Sequence, residues 1–140
     1  MTGVPAWECP SCGRRFGRRG QGHECAPALT LDEYFATGPP HERPVFEAVV
    51  AHLRAVGPVH VEPVSVGILL KSSRTFAELR PMRRWVALSF TLRRVVHHRL
   101  IVRAPVANHG GRFHHVANVA DPADLDDELF GWLVEAYLDD

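Results

Sequence analysis

Lysine is nearly missing from this 140-residue chain: of 16 Lys and Arg residues only Lys71 is a lysine. Such a bias is what a GC-rich genome produces, so the number of arginines carries no functional weight by itself. Cysteine is scarce too. Three residues, Cys9, Cys12 and Cys25, cannot close a disulfide framework, and none lies outside the first 25 positions to act as a thiol nucleophile elsewhere. No apolar run approaches the length of a membrane span, and the N-terminus lacks the basic-then-apolar pattern of a secretory signal, so the expected compartment is the cytoplasm. Net charge is zero, which removes the simplest argument for nucleic-acid binding. G-x-S-x-G, H-E-x-x-H and glycine-rich phosphate loops are all missing, and with them the usual signatures of hydrolases and nucleotide enzymes.

What is present begins at Trp7–Cys25, WECPSCGRRFGRRGQGHEC, which holds every cysteine and His23. Cys9 and Cys12 form a C-x2-C pair whose turn residues, Pro10 and Gly13, let two thiolates face one cation. His23 and Cys25 follow as H-x-C, and positions i and i+2 of an extended segment share a face, so both can reach the same metal. Four such ligands suit zinc. A redox C-x-x-C would open a helix in a larger α/β domain, and nothing before Cys9 supplies one. Between the ligand pairs, Arg14, Arg15, Arg18 and Arg19 form either an anion-binding knuckle or a solvated loop.

The rest of the chain changes period twice. Thr30 followed by Glu33 is a capping box ahead of a helical turn, and Val45, Phe46, Val49, Val50, Leu53 and Val56 recur at helical spacing between Glu42 and Val56. Gly57-Pro58 ends that helix. Alternating or β-branched runs then cover 59–64, 66–70, 75–79, 85–92, 100–106 and 113–119 without intervening helices, which implies an antiparallel sheet. Arg93 to His98 fits either a helical turn or a hairpin. A last helix is expected from Asp121-Pro122, with Leu125, Leu129, Trp132, Leu133, Ala136 and Tyr137 on one face. The expected architecture is α+β: five or six antiparallel strands with two helices on one face over residues 29–140, plus a zinc-binding knuckle over 1–28.

Taken together, W-x-C-P-x-C-G-R-x-F with its downstream H-x-C, LDEYF, KSSRTFAELRP, the Trp85–Phe90 strand and the ending DLDDELFGWLVEAY resemble an uncharacterised bacterial domain-of-unknown-function family. The main domain is also similar to the small α+β sandwiches of the frataxin, YdhG and YjbR groups, whose members carry iron-handling or DNA-binding labels. The resemblance implies Cys9, Cys12, His23 and Cys25 as metal ligands. It also implies Lys71, Arg74, Phe76 and Arg80 as a motif of the sheet, and Asp126, Trp132 and Tyr137 as a motif of the last helix. Frataxin-type iron handling uses an acidic ridge on the first helix, and here that helix offers Glu42 and Glu47 alone.

These residues lead to a non-enzymatic zinc protein whose leading partner is nucleic acid. Arg14, Arg15, Arg18 and Arg19 on the knuckle, with Lys71, Arg74, Arg80 and Arg94 on the sheet, would neutralise phosphates. One alternative is a pocket for a small anion, enzymatic or not, built from Lys71, Arg74, Arg80 and His115; another is a protein-protein adaptor. The pairs His97-His98 and His114-His115 invite a second metal site with Asp121 or Glu128, but neighbours on a strand face opposite ways. One histidine of each pair is therefore expected to be buried and bonded, and the other to face water.

Overall fold

The computed structural model describes residues 7–10, 15–17, 30–102, 106–107 and 110–139. Cys12, His23 and Cys25, together with Arg14, Arg18 and Arg19, lie outside them. Strands β1 (Trp7–Glu8) and β2 (Arg15–Phe16) form an antiparallel hairpin, with Trp7 opposite Phe16 and Glu8 opposite Arg15. Cys9 follows β1 directly and is buried.

Helix α1 (Leu31–Ala36) starts where its capping box directs. The Glu33 amide donates to Thr30 Oγ1 and the Thr30 amide to Glu33 Oε1, both at 3.1 Å. Gly38-Pro39-Pro40 separates it from α2 (Glu42–Arg54), which buries Val45, Phe46, Val49, Val50 and Leu53. The helix ends two residues before Val56, which is exposed. Its first residue, Glu42, is fully buried and accepts a hydrogen bond from the Tyr34 hydroxyl at 2.7 Å. Burial raises the Glu42 carboxyl above its ordinary range despite that bond.

Strands β3 (His60–Val64), β4 (Gly67–Lys71), β5 (Thr75–Pro81) and β6 (Val86–Leu92) form a meander, each antiparallel to the next. β8 (Phe113–Val119) pairs with β6, and the two-residue β7 (Val106–Ala107) pairs with β8, so the order is β3-β4-β5-β6-β8-β7. Two expectations change here. Residues 93–98 are neither helix nor strand, and the run 100–106 is not one strand: Ile101 makes an isolated bridge to Ala117 before β7 begins. Gly67 is required at the start of β4, because a Cβ there would sit 2.5 Å from the Leu79 carbonyl oxygen.

A short 3-10 turn (Pro122–Asp124) precedes α3 (Asp127–Leu138), so the last helix begins later than Asp121-Pro122 suggests. Asp126 caps it, accepting from the Leu129 amide at 2.9 Å. α3 packs on β5 and β6 and against α2, and Leu129, Leu133 and Ala136 join Ile68, Leu70, Leu79, Leu88, Phe90 and Val119 in one core. Both longer helices thus cover the same face of the sheet. No helix among the described residues is long and apolar enough to cross a membrane.

Candidate functional site

Strand register decides which side chains meet on the face away from the helices, which the N-terminal hairpin covers at Glu62 and Lys71 and which is uncovered at a cleft. Glu62, Leu69, Glu78, Ser89 and Val116 stand opposite one another across five strands, while the next row, Val61, Leu70, Ala77, Phe90 and His115, points toward the helices. Between β5, β6 and β8 the uncovered face sinks into a cleft of about 350 Å³. Glu78, Arg80, Ser89 and His114 supply its polar groups and Met82, Ala87 and Val116 its apolar ones. A smaller hollow continues it toward Thr75 and Thr91, sharing Glu78, Ser89 and His114.

Of the residues nominated from sequence for binding, Arg80 alone among the described ones lines this cleft. Its guanidinium lies 3.6 Å from Glu78 Oε1, and both side chains are partly exposed. Lys71 is buried instead: its Nζ sits 2.5 Å from Glu62 Oε2, with side-chain exposures of 8% and 3%. This pair grips the N-terminal hairpin. Glu62 Oε1 accepts the Arg15 amide at 3.2 Å, and Lys71 Nζ donates to the Arg15 carbonyl oxygen. Desolvation, with Arg15 nearby, lowers the pKa of His60 beside them.

Arg74 and Arg94 are committed elsewhere. Arg94 forms a two-point ion pair with Glu135 of α3. Arg74 reaches the Asp139 carbonyl and carboxylate and Thr91 Oγ1. Arg93 and Arg112 also hold the Asp139 carboxylate, each at 2.8 Å. A carboxylate at a helix C-terminus opposes the helix dipole, and three guanidinium groups reverse that balance. Burial alone would raise the Asp139 pKa, but bonds from Arg112 and Arg93 outweigh it and hold the group below its ordinary value. Its contribution to stability is therefore present above the unfolded pKa of about 3.9 and is lost as pH falls through the lower folded value. Asp139→Asn is expected to cost on the order of 1–2 kcal/mol at pH 7 and to flatten the acid limb of a stability-versus-pH curve. An unchanged acid limb in urea titrations would show that the clamp contributes nothing.

His115 does not share the cleft. It is fully buried, stacks on Phe90 with centroids 5.4 Å apart, and spends both ring nitrogens: the Val96 amide donates to Nε2 and Nδ1–H donates to the Phe113 carbonyl. His114 is the exposed partner, on the cleft side. The other pair divides the same way, with His97 exposed and the His98 side chain only 4% exposed. Since the Leu100 amide donates to His98 Nδ1, the ring proton sits on Nε2 and is given to Asp126 Oδ2 at 2.7 Å. That bond, with the Leu129 amide, lowers the Asp126 pKa. His98, Asp126 and Glu128 come close enough together to hold a cation. With both imidazole nitrogens occupied and Asp126 capping α3, the group works as a helix cap.

The last-helix motif is structural as well. Trp132 lies between Phe90 and His98, and Tyr137 packs edge-on to Phe76 while its hydroxyl donates to the Pro58 carbonyl at 2.8 Å. The cleft residues that motif reading missed, Glu78 and Ser89, were within reach of it. Glu78 is two positions before Arg80 on one strand and so shares its face. Ser89 needed the register of β5 against β6.

The chain is a two-layer α+β domain with both longer helices on one side of an antiparallel sheet and a cleft on the other. The profile of a domain of unknown function (DUF5655) matches residues 31–139, and the chain belongs to that family. No curated protein and no solved structure matches the chain.

Proposed function

We propose that this protein is a zinc-stapled, non-catalytic binding module that holds single-stranded nucleic acid across the uncovered face of its sheet. The observation that carries the reading is the cleft itself: a face left open by both helices, with Arg80 and His114 lining it. The turn after β5 extends that face, since Met82 lines the cleft and exposed Arg83 and Arg84 follow it. Lys71, Arg74 and Arg94 are paired to carboxylates away from the cleft, so the phosphate contacts fall to Arg80, whose partner Glu78 lies in the cleft with it, to Arg83 and Arg84, and to the knuckle arginines. The small-anion alternative has less support, because Lys71, Arg74 and His115 lie apart from Arg80's cleft.

Support for zinc is local. Two two-residue strands have too little pairing to hold themselves, and the C-x2-C begins where β1 ends, with Cys9 already buried. Within the family, the helix-sheet-helix order supports the likeness to the YdhG, YjbR and frataxin sandwiches. Iron handling fits poorly: Glu42 is buried under Tyr34 and Glu47 is paired with Arg43.

Elemental analysis of protein purified without chelator is expected to give one zinc per chain, lost in Cys9→Ser. Binding to a mixed-sequence single strand should weaken with salt at a log-log slope of about −2 from Arg80, Arg83 and Arg84, steeper by about 0.7 for each knuckle arginine that joins them, and Arg80→Ala should reduce the slope by about 0.7. Salt-independent binding, or none, would remove nucleic acid as the partner. A metal-free preparation that keeps Cys9 buried would remove the staple.

A further inference from the structure

The cleft has a chemistry more particular than a phosphate track. Glu78 and Arg80 are successive same-face residues of β5, and they hold a carboxylate beside a guanidinium, 3.6 Å apart. With side-chain exposures of 30% and 56%, both remain open to a ligand. Along this edge a visitor meets two acceptors, then a donor. Met82, Ala87 and Val116 supply the apolar lining, and the volume of about 350 Å³ lies within the range of small-molecule sites.

The geometry points to a guanine-binding site, in which Glu78 accepts from N1–H and the N2 amino group and Arg80 donates to O6. Guanine is the common base whose pairing edge runs donor, donor, acceptor. Adenine, cytosine and uracil each present a single adjacent donor there and would leave one carboxylate oxygen facing the ring without a partner, which is what makes such a site selective. Two charge-assisted bonds to one carboxylate supply the preference, and His114 and Ser89 line the same cleft within reach of the attached sugar.

This inference rests on reading the open face as a binding surface, and it names what the cleft holds. The guanine could arrive as a free nucleotide or within a strand. The test uses the full chain in calorimetric titrations with GMP, IMP and AMP, and in anisotropy titrations with a thymidine oligonucleotide with and without one central guanine. GMP is expected to bind about tenfold or more tighter than AMP, with IMP, which lacks the N2 amino group, in between. Glu78→Gln should erase the order while leaving the thermal midpoint within a degree or two, since the residue is partly exposed; Arg80→Ala should weaken GMP and IMP alike.

If the guanine-containing strand gains the same factor, the site works on nucleic acid. If GMP binds selectively and neither strand binds, the guanine site stands and the nucleic-acid reading falls. Equal binding of the two strands with no selection of GMP over AMP would overturn the guanine site and leave the nucleic-acid reading in place. No binding of any probe would overturn both.

Discussion

Replacing Lys71 with Met is expected to destabilise the protein by about 3–5 kcal/mol, the largest single effect we foresee outside the apolar core. The ammonium lies 2.5 Å from Glu62 Oε2 with both side chains almost sealed from water, so removing it leaves a buried carboxylate with no cation. That carboxylate must then stay charged in a poorly polarisable setting or take up a proton, and either route costs free energy. The effect spreads to the N-terminus, because the same two side chains hold the amide and carbonyl of Arg15. The paired variant Glu62→Gln/Lys71→Met should regain a substantial part of the loss, since it removes the stranded charge with its partner. Urea melts of the two single variants and the double variant give the coupling energy directly. A Lys71→Met protein within about 1 kcal/mol of the parent would mean the pair is solvated.

His115→Leu should cost about 1–3 kcal/mol at pH 7.5, because leucine keeps most of the volume beside Phe90 but strands the buried Val96 amide. The variant should also lose part of the protein's acid sensitivity. Burial pushes the His115 pKa down, and His114, His97 and Arg94 act the same way against the bond to Phe113. A depressed imidazole contributes stability that is fully present above the unfolded pKa of about 6.5 and is lost as pH falls below it toward the folded value. Between neutrality and mild acid the parent should therefore weaken more steeply than the leucine variant. Parallel curves would show that His115 takes up its proton alike in the folded and unfolded chain, and would sink this account.

Local signals read well from the sequence, because their partners are close by. The capping box at Thr30 and Glu33, the five buried apolar positions of α2 and the β meander all follow from spacing within a dozen residues. The division of His114-His115 into one exposed and one buried ring follows from strand alternation in β8, whereas His97-His98 divide the same way outside any strand. Charge assignments fared differently. Arg74 finds Asp139 across 65 positions and Arg94 finds Glu135 across 41, and no periodicity announces such partners. Lys71 looked like a surface cation for the same reason: its pairing with Glu62 depends on a diagonal across β3 and β4 that only register reveals. Cys12, His23 and Cys25 fall outside the described residues, so the proposed metal site stands on their spacing alone.

The meander also has a consequence in time. β3 to β6 are joined to their neighbours in chain order, so their pairing can begin as soon as each strand leaves the ribosome. α3, which covers β5 and β6, is made only after all of these strands. Until it docks, Leu79, Leu88 and Phe90 present an apolar surface to the cell, and the interval between the pairing of β6 and the arrival of Leu129 and Leu133 is when the nascent chain is most open to aggregation or chaperone capture.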